Sequence, residues 1–138
     1  MKVLRSIKKV KTPIPVVEFD VNELMLIPHI KWIQKRYPNF KNSADKVGMI
    51  WPIIVTDDKH YWQHEKNWPK DEQGNYIPGK MVHTGNKRVI WARENGYTHI
   101  EGYFVNDKME KDKIVSQTFM GRIDYPKSLP QLQGMFKE

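Results

Sequence analysis

Apolar and polar positions alternate along this chain in short runs, and the spacing predicts a small α/β domain. In residues 13–20, Ile14, Val16, Val17 and Phe19 are β-prone, and Pro13 and Pro15 restrict the run to an edge strand or a strand start. Residues 21–29 read as a loop with an apolar anchor. Ile30, Ile33 and Tyr37, with Lys31, Lys35 and Arg36 between them, predict an amphipathic helix stopped by Pro38. Asn42 or Ser43 would cap a second short helix running to Gly48. Trp51 to Thr56 is the strongest strand pattern. A second β-prone run, Met81-Val82-His83, leads through Thr84-Gly85 into a helix ending at Gly96. Ile100 to Val105 is another strand, followed by a charged helix from about Asp107 to Met120. From Tyr125 onward the prolines predict coil.

Between the two strong strand patterns, residues 57–80 look unlike core. Asp, Lys, His, Glu and Gln dominate, broken by Pro69, Gly74, Pro78 and Gly79. Structureless links of this length are uncommon in compact domains and tend to be lids or hairpins. A projecting hairpin is expected, with Trp62, Trp68 and Tyr76 on a partner-facing surface beside the Gly85 turn.

Composition narrows the classes. With 138 residues, 39% hydrophobic and five Trp, the chain has enough apolar surface for one folded domain. No apolar run approaches the roughly 18 residues that span a bilayer, so no membrane partner is expected. The absence of cysteine rules out disulfides, a thiolate nucleophile and Cys-based zinc sites, and a cytoplasmic protein is the simplest expectation. The net charge is +7, and five cations (Lys2, Arg5, Lys8, Lys9 and Lys11) stand among the first twelve residues without an acid. A basic arm at 1–12 on a nearly neutral domain points to a polyanion, with Lys8, Lys9 and Lys11 as nucleic-acid contacts, or else to a solubilising tail. Trp62 and Trp68 would add base stacking.

The segment with most chemistry is Thr84-Gly85-Asn86-Lys87-Arg88. A strand running through a glycine into a helix start that carries two cations makes an anion cradle. Helix N–H groups point outward there, and the dipole favours negative charge. The plain alternative is an ordinary β–turn–α joint with Lys87 and Arg88 solvated.

Gly85-Asn86-Lys87-Arg88, followed by Ala92, Gly96-Tyr97 and Ile100, resembles the Gly-x-x-Arg box of the ParB/sulfiredoxin superfamily. Gly48-Met49-Ile50-Trp51-Pro52-Ile53-Ile54-Val55 is similar to that family's Gly-x-x-x-Pro-Ile-x-Val strand, and the order of the two boxes fits. The resemblance extends over about residues 14–124. It implies a compact α/β (α+β) fold, with a small mixed sheet flanked by short helices and a hairpin-like insertion at 57–80. The domain would span 13–124, with 125–138 as a C-terminal coil extension. It further implies a phosphate-bearing ligand at Thr84, Gly85, Asn86, Lys87 and Arg88, with His29, Pro52 and Arg122 as additional contacts.

Departures limit what carries over. Sulfiredoxins place a catalytic Cys beside the His-Arg of this box; here Asn86 and Lys87 precede Arg88 and the chain has no Cys, which excludes that activity. In the nucleotide-clamp members a Glu and an Asn help hold magnesium, but Thr118 and Phe119 stand at those positions. Only the later part, Arg122-Ile123-Asp124, matches. With no length left for the clamp's further domains, the expectation is a stand-alone domain. A DNA-related accessory role follows, of the kind encoded by phages and acting in a bacterial host. The ligand would be a nucleotide, as a nucleoside triphosphate with magnesium, or nucleic-acid phosphate. A phosphotransferase or nuclease on the same cradle would need a base, for which Glu18, Asp20 and His83 are the candidates. By strand alternation His83 faces either the ligand or the core. A degenerate domain holding a protein partner through 57–80 is the third reading. No metal site is expected: His60 and His64 lie four apart, but among prolines and turns.

Overall fold

In the computed structural model, residues 1–27, 31–62, 65–118, 128 and 130 are described. Their elements, in order, are β1 (Val3–Leu4), β2 (Val16–Asp20), β3 (Leu24–Met25), α1 (Lys31–Val47) and β4 (Ile53–Thr56). After two 3-10 turns, Lys59–Tyr61 and Glu65–Asn67, come β5 (Lys80–Thr84), α2 (Asn86–Glu94), β6 (His99–Phe104) and α3 (Lys108–Ser116). The six strands form one mixed sheet, and the fold is a mixed α/β domain.

Strand β6 is the organising element. Along one edge it pairs antiparallel with β2, from Val16↔Tyr103 to Asp20↔His99. Its other edge takes β1 at His99–Ile100 and then β4 from Gly102 to Phe104, both parallel. β4 pairs antiparallel with β5, and β5 takes the short β3 parallel. Gly102 is needed where these strands meet the core, because a Cβ there would stand 2.6 Å from Ile53 and 2.9 Å from Phe19.

Alternation along the strands sends residues to two cores. Ile53, Val55, Val82, Ile100 and Phe19 pack with Phe40 and Ala44 of α1 and Val89 and Ala92 of α2. Ile54, Tyr103 and Val105 pack with Ile114 of α3 and with Val10. Burying each large apolar side chain contributes roughly 1.5–3 kcal/mol, so each face holds its helices firmly.

Three expectations are corrected. The helix predicted to stop at Pro38 continues as a single helix to Val47, and no second helix begins at Asn42 or Ser43. An interior proline costs about 3 kcal/mol locally, yet Ile33, Phe40, Ala44 and Val47 line a buried face whose packing outweighs that cost. The basic segment is not a free arm, since β1 lies in the sheet and the Ile7 and Lys8 N–H groups donate to the Met49 and Ile50 carbonyls. Finally, Trp62 and Trp68 do not face a partner. They are 4% and 3% exposed, meet edge to face at 5.6 Å, and pack on Ile27, Ile33 and Met81. The polar context of 57–80 concealed a third core, sealed by two indoles. Among the described residues of the insertion, only 70–76 resemble a hairpin, with Lys70 bridged to Tyr76 around the Asp71–Gly74 turn.

Candidate functional site

The turn at Gly85 is built by close approach. Gly85 has φ 113° and ψ 25°, a left-handed conformation that favours glycine, and a Cβ there would lie 2.5 Å from Ile53. It caps α2 with backbone only, offering no side chain to the first helical turn. The first bond within the helix runs from the Val89 N–H to the Gly85 carbonyl at 3.0 Å. The positive end of the α2 dipole therefore lies at Gly85, next to Thr84 in the chain.

Thr84 is 8% exposed, and its buried Oγ1 has no hydrogen-bond partner among the described residues. Buried hydroxyls are seldom left this way, because desolvating one without a partner costs about 1–3 kcal/mol. Here that hydroxyl immediately precedes a helix N-terminus.

Asn86 and Arg88 serve the turn as braces. The Asn86 Oδ1 accepts the Ile27 N–H at 3.1 Å, tying the end of the β3 segment to the start of α2. The Arg88 Nη1 donates to the Trp51 and Pro52 carbonyls at 2.6 and 2.8 Å, clamping the lead-in to β4. Thr84, Gly85, Asn86, Arg88 and Pro52 are thus brought together, with Lys87 half-buried in the first turn of α2. His83 is half-buried, two residues before Gly85 on β5. His29 and Arg122 lie outside the described residues, as does His64.

The carboxylate candidates are elsewhere. β2 is three strand spacings from β5, roughly 14 Å. Glu18, opposite Glu101, lies 3.5 Å from Arg5. The Asp20 Oδ1 accepts the Asn22 N–H, and the neighbouring Val21 carbonyl is gripped by Arg93 at the far end of α2. No group of His, Cys, Asp and Glu that would hold a metal ion occurs among the described residues.

The 57–80 segment also sits at the opposite end of the β4–β5 pair from where it was expected. Thr56 pairs with Met81 at its base, whereas Ile54 pairs with Thr84 at the Gly85 end. An antiparallel pair places its connection and its open end apart, so the insertion's base is not beside the turn. A shallow cavity of about 330 Å³ lies at that base, lined by residues including Asp57, His60, Trp68 and Tyr76. The exposed aromatics of the insertion are Tyr61 and Tyr76, not the tryptophans.

One site escaped the sequence altogether. Glu101, 6% exposed in the middle of β6, accepts from Ser6 N–H at 2.8 Å and from the Lys9 ammonium at 2.9 Å, with Arg5 3.4 Å away. Burial raises its proton affinity, but Lys9, the Ser6 N–H and Arg5 outweigh it and hold the carboxyl below its usual range. A lone carboxylate inside the apolar run Ile100–Val105 was the available signal. Lys9 is therefore an internal ion-pair partner. Lys8 is half-buried, and Lys11 is exposed with its backbone tied to the Gln117 side chain.

No protein-family model matches the chain, and no curated protein matches it. Among solved structures it is similar to the C-terminally truncated chromosome-partitioning protein ParB from Caulobacter crescentus complexed with CTP-gamma-S. Identity is 16% and the TM-score is 0.45, over 79% of this chain and 56% of that one. The chain thus spans little more than half the length of that protein. No helix among the described residues is long and apolar enough to cross a membrane.

Proposed function

We propose that the Thr84–Arg88 turn binds the phosphate of a nucleotide or of nucleic acid. The observation that carries this reading is the buried Thr84 hydroxyl, without a partner among the described residues, next to the N-terminus of α2. An anion seated there would meet the helix dipole, the α2 N–H groups and the Thr84 O–H, with the Lys87 charge close by. Asn86 and Arg88 are positioning residues that hold the Ile27 and Trp51–Pro52 segments against the turn. The resemblance of the Gly-x-x-Arg box agrees with this assignment. Glu18 and Asp20 are not brought to the turn, which leaves His83, two residues before Gly85 on β5, as the candidate base nearest to it. A magnesium ion would arrive with a triphosphate and neutralise its charge.

Thr84→Val tests the reading cleanly. The hydroxyl makes no hydrogen bond among the described residues, so stability should hold within about 1 kcal/mol or rise. Affinity for nucleoside triphosphates, measured by calorimetry with and without magnesium, should fall about tenfold, as losing one hydrogen bond to a charged group implies. A variant that binds like the parent overturns the assignment. So does a parent that binds no nucleotide, inorganic phosphate or oligonucleotide.

A further inference from the structure

The structure relocates the positive surface of this protein. Two cations of the basic segment, Arg5 and Lys9, are engaged by Glu18 and Glu101, and Lys2 lies over the Tyr97 ring. Helix α1 instead carries Lys31, Lys35, Arg36, Lys41 and Lys46 against the single carboxylate Asp45, a net +4 of the chain's +7. Lys41 is paired with Asp45 at 2.7 Å. The other four are exposed and form no ion pair among the described residues.

At 3.6 residues per turn, Lys31, Lys35, Asn42 and Lys46 fall within an arc of about 60°, a stripe roughly 22 Å long. The Lys41–Asp45 pair lies to one side of it and Arg36 to the other. The buried face of the same helix holds Phe40 and Ala44 against the core, so the stripe points outward.

We infer that this face of α1 is a docking surface for the backbone of duplex nucleic acid. Charge complementarity selects the partner: amide and ammonium donors stand in a row about as long as six or seven base-pair steps. The stripe residues Lys31, Lys35, Asn42 and Lys46 themselves include no apolar side chain and no ring. An anionic membrane would need apolar side chains to insert, and single strands would need exposed rings for stacking, so both fit this face less well. The binding would be independent of sequence and sensitive to salt. It does not depend on the phosphate turn, and loss of nucleotide binding in Thr84→Val would leave it standing.

The test is fluorescence anisotropy of the full chain with a labelled duplex of about 20 base pairs over a salt series. The triple variant Lys31→Gln, Lys35→Gln, Lys46→Gln is compared with Lys108→Gln, Lys111→Gln, Lys113→Gln. The second triple removes the same charge from α3, which packs on the other face of the sheet. With the three stripe lysines neutralising three phosphates, the parent's log–log slope should be about −2.7, and the α1 triple should flatten it nearly to zero. The α3 triple should leave the slope unchanged. Equal losses in both triples would reduce the effect to net charge and overturn the proposal. An unchanged α1 triple also overturns it, as does tighter binding to single strands or to vesicles of phosphatidylserine than to the duplex. Thermal melts of both triples within about 3 °C of the parent show that folding is not the cause.

Discussion

Excising residues 58–78 in favour of a short Gly-Ser turn should unfold this protein or leave it barely folded. Shortening the link is itself nearly neutral, because loop closure changes by only about 0.6 kcal/mol per doubling of length. What is lost is the third core. Trp62 and Trp68 are 4% and 3% exposed, stack edge to face at 5.6 Å, and cover Ile27, Ile33 and Met81. The Trp68 Nε1–H donates to the Ile77 carbonyl at 2.7 Å, so the indole also anchors the segment that returns to β5. Truncating a buried Trp to Ala costs about 3–5 kcal/mol, and an aromatic pair adds roughly 0.5–1.5 kcal/mol. Against a typical total of about 5–15 kcal/mol, loss of both rings removes most of the margin. Trp68→Ala alone should lower the melting temperature by roughly 10–20 °C, read by circular dichroism. The double variant should lose less than the sum of the single ones, because the rings touch. Thermal and urea unfolding of the excised chain decide the matter. An excised protein that melts within about 3 °C of the parent refutes the assignment of these tryptophans to the core.

Two further predictions concern polar groups. Arg88→Ala should cost about 1–3 kcal/mol, because the guanidinium braces the Trp51 and Pro52 carbonyls; a variant as stable as the parent in urea would show that the clamp does not matter. Glu101 has a depressed folded pKa, so its stabilisation is present above the unfolded value of about 4.3 and is lost as pH falls through the lower folded value. Glu101→Gln should therefore be less stable than the parent at neutral pH and lose less on acidification from about pH 5 to pH 3, whereas parallel melting curves would contradict the ion pair's role.

Local patterns in the chain determined much of this fold. The strand at Trp51–Thr56, the β–glycine–helix passage through Gly85 and the strand beginning near Ile100 are all readable from β-propensity, periodicity and breakers. So is the α/β class that follows from their order. Each depends on residues close in sequence, where backbone sterics and alternation act without help from distant contacts. Tertiary structure decided what those patterns left open. Pro38 looked like a stop, but packing along α1 outweighed the local cost. Trp62 and Trp68 looked exposed because burial depends on what α1 and β5 bring to them, not on their polar neighbours in the chain. Glu101 reads as an ordinary strand carboxylate until the parallel pairing of β1 with β6 delivers Arg5, Ser6 and Lys9 to it from more than ninety residues away. The candidate phosphate turn divides the same way. Its glycine was visible as a motif, whereas the buried hydroxyl of Thr84 and the bracing roles of Asn86 and Arg88 exist only once Ile27, Trp51 and Pro52 are folded against it.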